Sequence, residues 1–182
     1  MLFDALPELR HELVRLRPIA QADLPIWYSY LSEPSVIEHT SWNLSAPADL
    51  SPYVWDPAAN TESSFLRLAI ALRSTDEIVG TGGFHTVQPR NRSAEIAYDL
   101  SPSQWGKGIA TSVCQQLVAW AHSSARLLRV QATVLESNGP SMAVLERCGF
   151  LREGLLRSYR LVRGRPGNFY MYSHVVPLQA VA

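Results

Sequence analysis

A change of hydrophobic period in the middle of the chain is the feature that most limits its fold. In residues 93–100, apolar and polar side chains alternate, which indicates a strand with one buried face. In residues 109–121 the apolar side chains recur at helical spacing, and this predicts an amphipathic helix of about four turns. Residues 127–135 again have the length and composition of a strand. A strand–helix–strand unit of this kind crosses over right-handed and places its two strands parallel.

The segments on either side predict antiparallel neighbours for this unit. Gly80, Gly82 and Gly83 lie in an apolar run of strand length, where they indicate a bulge or a close backbone approach. The predicted elements in chain order are a strand at 13–19, a helix at 21–31, a loop with one short helix at 35–57, strands at 65–72, 78–87 and 93–100, a helix at 109–121, a strand at 127–135, a helix at 139–148, and a closing hairpin of strands at 155–163 and 169–176. We therefore expect a single α+β domain over residues 1–182, with a mixed, mostly antiparallel central sheet of about seven strands flanked by helices.

Composition limits the classes of partner. The chain is 47% hydrophobic and 18% charged, so it can bury a core. Its formal net charge of zero argues against nucleic acid as a main partner. Cys114 and Cys148 lack metal-ligand spacing, and we expect free thiols and no metal site. No signal peptide or apolar run of membrane length is visible, so we expect no membrane partner and a cytoplasmic location.

A glycine-containing loop precedes the long helix. Gly106 and Gly108 allow a ligand to approach the backbone, and the first N–H groups of a helix have no partner within it. Such a helix start binds anions such as phosphate, and Lys107, the only lysine, would add a positive charge. The mononucleotide and dinucleotide fingerprints do not fit, because they require glycines where Ser101 and Thr111 stand.

The run Trp105-Gly106-Lys107-Gly108-Ile109-Ala110-Thr111 resembles the pyrophosphate loop of the GNAT N-acetyltransferases. It is most similar to the branch of the RimJ/RimL-type ribosomal-protein N-terminal acetyltransferases, which shares tryptophan at the first position where the wider family has glutamine or arginine. Two other stretches are similar to that branch: residues 94–100, and residues 138–150, which carry N-x-x-S followed by a Gly-Phe pair. The resemblance covers about residues 13–176.

This resemblance implies acetyl-CoA as the cosubstrate and assigns its contacts. The pyrophosphate would be held by the backbone N–H groups of Gly106, Lys107, Gly108, Ile109, Ala110 and Thr111. The pantetheine arm would lie where the strand ending at Leu100 splays from the strand at 130–135, and an N–H near residues 96–100 would polarise the acetyl carbonyl. Asn138 would hydrogen-bond the arm; the alternative is an ordinary helix N-cap, and both roles can hold together. Ser141 would protonate the departing thiolate, or be a first-turn serine without a chemical role.

Glu95 is the candidate general base. An ammonium must lose a proton before it can attack a thioester, and a carboxylate on a central strand is placed to accept it. A purely structural glutamate is the alternative.

Other polar residues have less specific interpretations. His39 and His85 are expected at the surface or with ordinary partners, although His39 and Trp42 would wall the acceptor site. Tyr170 and Tyr172 are expected in the core, with a substrate-facing hydroxyl as the alternative. Arg157, Arg160 and Arg163 are expected on a solvated face.

The resemblance thus predicts an N-acetyltransferase that works by direct attack of a primary amine on acetyl-CoA, without a covalent enzyme intermediate or a metal. The implied acceptor is the N-terminal α-amine of a protein or peptide. A small-molecule amine, such as an amino acid, a polyamine or an antibiotic, is the alternative acceptor. A CoA-binding module without catalysis is the alternative of another class. A homodimer formed through the aromatic residues of the 35–60 segment is a further expectation.

Overall fold

The computed structural model describes residues 6–54 and 65–176. Its centre is a seven-stranded sheet. The strands are β1 (Val14–Pro18), β2 (Leu66–Leu72), β3 (Ile78–Gln88), β4 (Ser93–Leu100), β5 (Arg129–Leu135), β6 (Leu151–Val162) and β7 (Arg165–Val175). They lie in the order β1-β2-β3-β4-β5-β7-β6. The pair β4 and β5 is parallel and the other neighbouring pairs are antiparallel. The predicted fold class is confirmed, including the parallel pair around the long helix.

The helices of the described residues are α1 (Leu24–Leu31), α2 (Pro34–Ile37), α3 (Ile109–Ser123) and α4 (Gly139–Arg147), with short 3₁₀ helices at Gln21–Asp23, Pro47–Tyr53, Pro89–Asn91 and Pro102–Gln104. The helix predicted at 21–31 begins as a 3₁₀ turn, in which the Asp23 N–H donates to the Ala20 carbonyl at 3.0 Å, and the Asp23 carboxylate caps this turn by accepting the Ala20 N–H at 2.8 Å. The segment predicted as a loop with one short helix contains two helical pieces, and residues 55–57 of it lie outside the described residues.

The closing hairpin differs from its prediction. We expected strands at 155–163 and 169–176 with a turn over residues 164–167, whereas β6 already begins at Leu151 and β7 begins at Arg165. The turn is Arg163-Gly164, and both residues have positive φ, 50° and 76°, as tight two-residue hairpin turns require. Pro166 is tolerated within β7 because β5 pairs with β7 only from Phe169 onward, so this part of β7 has one neighbour rather than two.

Two hydrophobic clusters cover the sheet. Leu68 and Ile70 of β2 belong to the larger cluster, with Leu117 of α3, whereas Ala69 between them belongs to a second cluster with Trp27 of α1. Because successive side chains of a strand point to opposite faces, α3 and α1 lie on opposite faces of the sheet. The two layers of helix therefore bury both faces of the central strands.

The glycines of β3 mark close approaches, as predicted. A Cβ on Gly82 would lie 2.9 Å from Cγ1 of Val113, so this glycine lets α3 pack directly on the sheet. A Cβ on Gly80 would lie 2.5 Å from the carbonyl oxygen of Asp99 on β4. At these positions a side chain on β3 would collide with α3 or with the backbone of β4.

The sheet opens between β4 and β5. These strands pair over only three residues, from Ser93 opposite Arg129 to Glu95 opposite Gln131. Beyond Glu95 they separate, while β5 stays paired with β7 as far as Leu135. A wedge-shaped gap therefore lies between residues 96–100 and residues 132–135, and Glu95 stands at its apex. The predicted splay of these two strands is confirmed.

Candidate active site

A cavity of about 390 Å³ occupies the wedge. Its floor is the separated part of β4 and β5. Its walls come from residues 39–42, from β2 and β3, from the first turn of α4 and from the closing hairpin. Glu95, Asn138 and Ser141, which were selected from the sequence, all line this cavity.

The glycine-containing loop lies at the open end of the wedge. Gly106 and Gly108 both have φ of +75°, in the left-handed region, and a Cβ on either would meet no atom within 4 Å. Glycine is therefore needed for the backbone conformation, and the space beside the loop is open to a ligand. Gly108 is the N-cap of α3. The first backbone hydrogen bond of this helix runs from the Ser112 N–H to the Gly108 carbonyl, at 3.0 Å. The first-turn N–H groups of residues 109–111 precede that bond and lack a partner within the helix.

Trp105 fixes this loop to the end of β4. Its indole Nε1–H donates to the Leu100 carbonyl at 2.8 Å. The side chain of Leu100 is itself buried in the larger core cluster, so Leu100 offers a potential cofactor only its backbone. Lys107 donates from Nζ to the Gln104 side chain at 2.9 Å, which keeps its charge at the loop. The tryptophan that distinguishes this motif from the wider family thus has a structural role in the neighbourhood of the predicted anion site.

Asn138 and Ser141 lie at the N-terminal end of α4. The Asn138 side chain accepts the Ser141 N–H at 3.0 Å, which confirms the N-cap interpretation, and its Nδ2 donates to the His39 carbonyl at 3.0 Å. The Ser141 hydroxyl lies 3.1 Å from the hydroxyl of Tyr98, which also reaches the Ser141 carbonyl at 3.3 Å. Burial raises the pKa of Tyr98 well above its ordinary value, so the phenol stays protonated and can donate to Ser141.

Glu95 is held at the apex of the wedge and is only 3% exposed. Its Oε1 accepts hydrogen bonds from the Thr133 hydroxyl and, at 3.2 Å, from Nη2 of Arg160. His85 Nε2 lies 3.7 Å from the same oxygen. The Arg160 guanidinium also packs over the rings of Tyr159 and Phe169, at 5.0 and 5.6 Å from their centroids.

Arg160 was placed wrongly from the sequence, whereas Arg157 and Arg163 are exposed as predicted, and His85 is partly exposed with the Thr86 hydroxyl as a partner. Arg160 was expected on a solvated face but pairs with Glu95 inside the cavity, because β7 carries the neighbouring strand β6 over the wedge. Arg163 donates to the carbonyls of Ile37 and Thr40, at 2.7 and 3.0 Å, and ties the hairpin turn to the loop after α2. His85, expected at the surface or with an ordinary partner, lines the cavity beside Glu95.

A buried network beneath the cavity was missed altogether. Asp99 pairs with the Arg67 guanidinium and accepts hydrogen bonds from the hydroxyls of Thr81 and, at 2.6 Å, Tyr30. Arg67 Nε also donates to Thr81 at 2.8 Å, and Arg67 lines the cavity. The available signal was a charged residue within an apolar strand, because a buried charge requires a partner.

The remaining expectations concern packing. Tyr172 is fully buried and Tyr170 packs against the same core cluster, which confirms the core interpretation. Cys114 and Cys148 are free, as predicted. Among residues 6–54 and 65–176, no group of three or more His, Cys, Asp or Glu side chains is arranged to hold a metal ion. In the same part of the chain, each helix is too short or too polar to span a membrane.

Comparisons with known proteins agree with this site. Residues 14–151 match the family model of the acetyltransferase (GNAT) domain. The chain is 33% identical to the uncharacterised N-acetyltransferase p20 of Bacillus licheniformis over 166 residues, covering 89% of this chain and 92% of the relative. It is 30% identical to the ribosomal-protein-serine acetyltransferase of Escherichia coli strain K12 over 104 residues, 57% of this chain and 58% of the relative.

Among solved structures, a spermidine N-acetyltransferase from Vibrio cholerae in complex with CoA and spermine superposes with a TM-score of 0.77 and 17% identity, covering 91% of this chain and 96% of the other. This likeness supports the fold. The family match confirms the predicted family, the enzyme class and acetyl-CoA as cosubstrate. The chain therefore belongs to the GNAT acetyltransferase family and is an acetyl-CoA-dependent N-acetyltransferase.

Proposed function

We propose that this enzyme acetylates the free N-terminal α-amine of a protein or peptide. The charge pattern of the cavity carries this proposal. Among the described residues, the cavity wall holds one carboxylate, Glu95, and two guanidinium groups, Arg67 and Arg160. Each guanidinium is already paired with a carboxylate, Asp99 for Arg67 and Glu95 for Arg160, so no acidic excess is left for a second or third positive charge of a polyamine.

A peptide N-terminus suits the same wall better. It brings one amine, followed at once by backbone carbonyl groups that can accept hydrogen bonds from guanidinium N–H groups. The relative named as a ribosomal-protein-serine acetyltransferase supports this acceptor class. The spermidine enzyme among the structural neighbours keeps a small-molecule amine as the alternative acceptor. Membership of an acetyltransferase family disfavours the CoA-binding module without catalysis.

The acetyl donor would lie along β4. We propose that its pyrophosphate binds at the N–H groups of Gly106 through Thr111 and that its pantetheine arm follows the open edge of the strand. The five residue steps from Leu100 to Glu95 span about 17 Å at the usual rise of a strand. The arm therefore delivers the thioester to the apex of the wedge, with Asn138 beside it.

The geometry of β4 leaves backbone N–H groups that could donate a hydrogen bond to the acetyl carbonyl. Ser101 N–H donates to Val79 on β3, so the backbone groups of the odd-numbered residues at this end of β4 face β3. By alternation, the N–H groups of Ile96 and Tyr98 face the wedge, where β5 no longer pairs with them. One of these N–H groups would stabilise the oxyanion that forms when the amine attacks.

The chemical step needs a proton acceptor and a proton donor at the two sides of the thioester. We propose that the amine loses its proton beside Glu95, at the apex of the wedge, and attacks the acetyl carbonyl. A C–N bond then forms and the C–S bond breaks. The thiolate would then take a proton from Ser141. Solvent would return that proton to the serine, and the Tyr98 hydroxyl, 3.1 Å from the Ser141 hydroxyl, would orient the serine by donating a hydrogen bond.

A coupled assay of thiol release tests the acceptor class. The probes are a hexapeptide with a free N-terminal serine, the same peptide with its N-terminus acetylated, and spermidine, each with acetyl-CoA. We expect release with the free peptide to exceed that with spermidine by at least about tenfold, a difference of about 1.4 kcal/mol in transition-state stabilisation. The blocked peptide is the matched control and should give background release. Faster release with spermidine would contradict the proposal.

Three wider expectations remain proposals: that residues 1–182 form one domain, that the enzyme is cytoplasmic and that it is a homodimer. The homodimer was expected from aromatic residues of the 35–60 segment, of which residues 55–60 lie outside the described part of the chain. Trp42 and Tyr53 pack edge-to-face on Trp27 and on each other, with ring centroids 5.6 to 6.1 Å apart, rather than standing exposed for a partner. Sedimentation equilibrium decides the oligomeric state directly.

A further inference from the structure

His85 stands directly opposite Glu95 in the pairing of β3 with β4. Directly opposed residues of neighbouring strands project to the same face of a sheet, so the two side chains meet. The distance from His85 Nε2 to Glu95 Oε1 is 3.7 Å, and His85 is 36% exposed toward a cavity that Glu95 also lines. The imidazole is therefore more accessible to an incoming amine than the buried carboxylate behind it.

The other ring nitrogen of His85 has its own partner. Nδ1 lies 2.9 Å from the hydroxyl oxygen of Thr86. If Nδ1 carries the proton and donates it to that oxygen, Nε2 is the basic nitrogen. In the neutral ring Nε2 and Glu95 Oε1 are then two acceptors facing each other without a shared proton. A proton arriving at Nε2 converts them into an imidazolium–carboxylate pair.

Glu95 is already engaged on the oxygen nearest to His85, where it accepts from Thr133 and Arg160. The charged groups that face His85 act in both directions: Glu95 favours the imidazolium, whereas Arg67 and Arg160 oppose it. Burial is the largest influence and lowers the pKa of His85, so the ring is neutral at pH 7 and free to accept a proton.

We propose that His85 Nε2 is the atom that takes the proton from the attacking amine, which is neutral because its ammonium form has first lost a proton to solvent, and that Glu95 stabilises the imidazolium that results. The proton moves from the amine nitrogen to Nε2 as the nitrogen lone pair attacks the thioester carbon. It returns to solvent after the product leaves. This inference rests on the proposed function and refines it, because it names the atom beside Glu95 that deprotonates the amine. It holds for either class of amine acceptor.

The first test measures the pair without any acceptor. The ring signals of the five histidines are titrated by NMR in the wild type and in Glu95→Gln, and His85 is assigned from the spectrum of His85→Gln. Because the carboxylate is, among the described residues, the one group favouring the imidazolium, its neutralisation should lower the pKa of His85 further. An unchanged His85 titration in Glu95→Gln would overturn the pairing.

The second test measures the proton transfer. The variants are His85→Gln and His85→Ala, with His11→Gln, before the opposite edge strand β1, as the control histidine. The acceptor is the serine peptide or spermidine, whichever gives faster thiol release, so a wrong acceptor class leaves this test intact. We expect kcat/KM at pH 7 to fall at least about 100-fold in His85→Gln. Added imidazole should restore part of the rate of His85→Ala.

Binding of acetyl-CoA, measured by calorimetry, shows whether each variant is folded, and it should be unchanged by these substitutions. The acid side of the pH profile of kcat/KM should report the His85 titration in the wild type and in His11→Gln. A His85→Gln variant that keeps most of the wild-type rate, or keeps the same acid-side titration, would refute the assignment of the proton to His85.

Discussion

Substitution of Asp99 by asparagine should cost far more stability than an ordinary loss of a salt bridge. Asp99 and Arg67 form an ion pair in which the side chains are 4% and 8% exposed, and the same carboxylate accepts from Tyr30 and Thr81. Asparagine keeps the shape and one acceptor oxygen, but it turns an amide donor either toward the guanidinium and the Thr81 hydroxyl, which share one oxygen of Asp99, or toward the Tyr30 hydroxyl. The Arg67 charge then stays buried without an anion.

Removing one partner of a buried pair typically costs about 3–5 kcal/mol, because the other charge is left uncompensated. With a urea m-value of about 2 kcal/mol per molar, this loss lowers the unfolding midpoint by about 1.5–2.5 M. Asp76→Asn is the matched control. Asp76 is 52% exposed and pairs with Arg15 and Arg17 at 2.9 Å, so its substitution should cost about 1 kcal/mol or less.

The assay is equilibrium urea unfolding followed by tryptophan fluorescence and by circular dichroism. In the double variant Arg67→Met with Asp99→Asn, the uncompensated charge is gone, and stability should recover most of the loss. Equal midpoints for Asp99→Asn and Asp76→Asn would refute the reasoning. A double variant no more stable than Asp99→Asn would refute it as well.

Three other predictions concern the cofactor loop, the thiolate side of the site and pH. Gly108→Val and Gly164→Val place a Cβ in open space at φ of +75° and +76° and should each cost about 1–2 kcal/mol of folding stability. Calorimetry should show lost acetyl-CoA binding for Gly108→Val alone, and equal affinities would count against the pyrophosphate site. Tyr98→Phe should lower kcat about tenfold without changing acetyl-CoA affinity, since Ser141 loses one hydrogen bond of about 1.4 kcal/mol; an unchanged kcat argues against the orienting role of Tyr98. Burial and a neighbouring histidine of α3 lower the pKa of His174, so the unfolded chain binds more protons. Stability should be full above about pH 6.5 and fall as the pH drops through that value, and urea titrations should show a smaller fall for His174→Gln.

Local patterns predicted most of the fold. The helical period identified α3, and the alternation in residues 93–100 identified β4. Both were predictable because burial of one face of an element produces a regular pattern of apolar residues along the sequence. The closing hairpin was placed wrongly because Pro166 and Gly167 have the composition of a turn. Their position in β7 depends on where the β5 partner ends, which is a non-local fact.

The candidate site divides in the same way. The loop with Gly106 and Gly108 was predictable, since both positions have a positive φ of +75°, a local backbone conformation that favours glycine. The partners of Glu95 were not, because His85 meets it through strand register and Arg160 arrives from the last hairpin, 65 residues further along the chain. No spacing rule connects such residues before the order of the strands is known.

The most direct test of the whole account is the position of the acetyl group on a reacted peptide. A peptide with a free N-terminal serine and an internal lysine offers an α-amine and an ε-amine to the same enzyme with acetyl-CoA. Fragmentation by tandem mass spectrometry then locates the added acetyl group. The account predicts acetylation at the N-terminal α-amine with the lysine unmodified. Acetylation of the lysine side chain, or an unmodified peptide under conditions in which spermidine is acetylated, would contradict it.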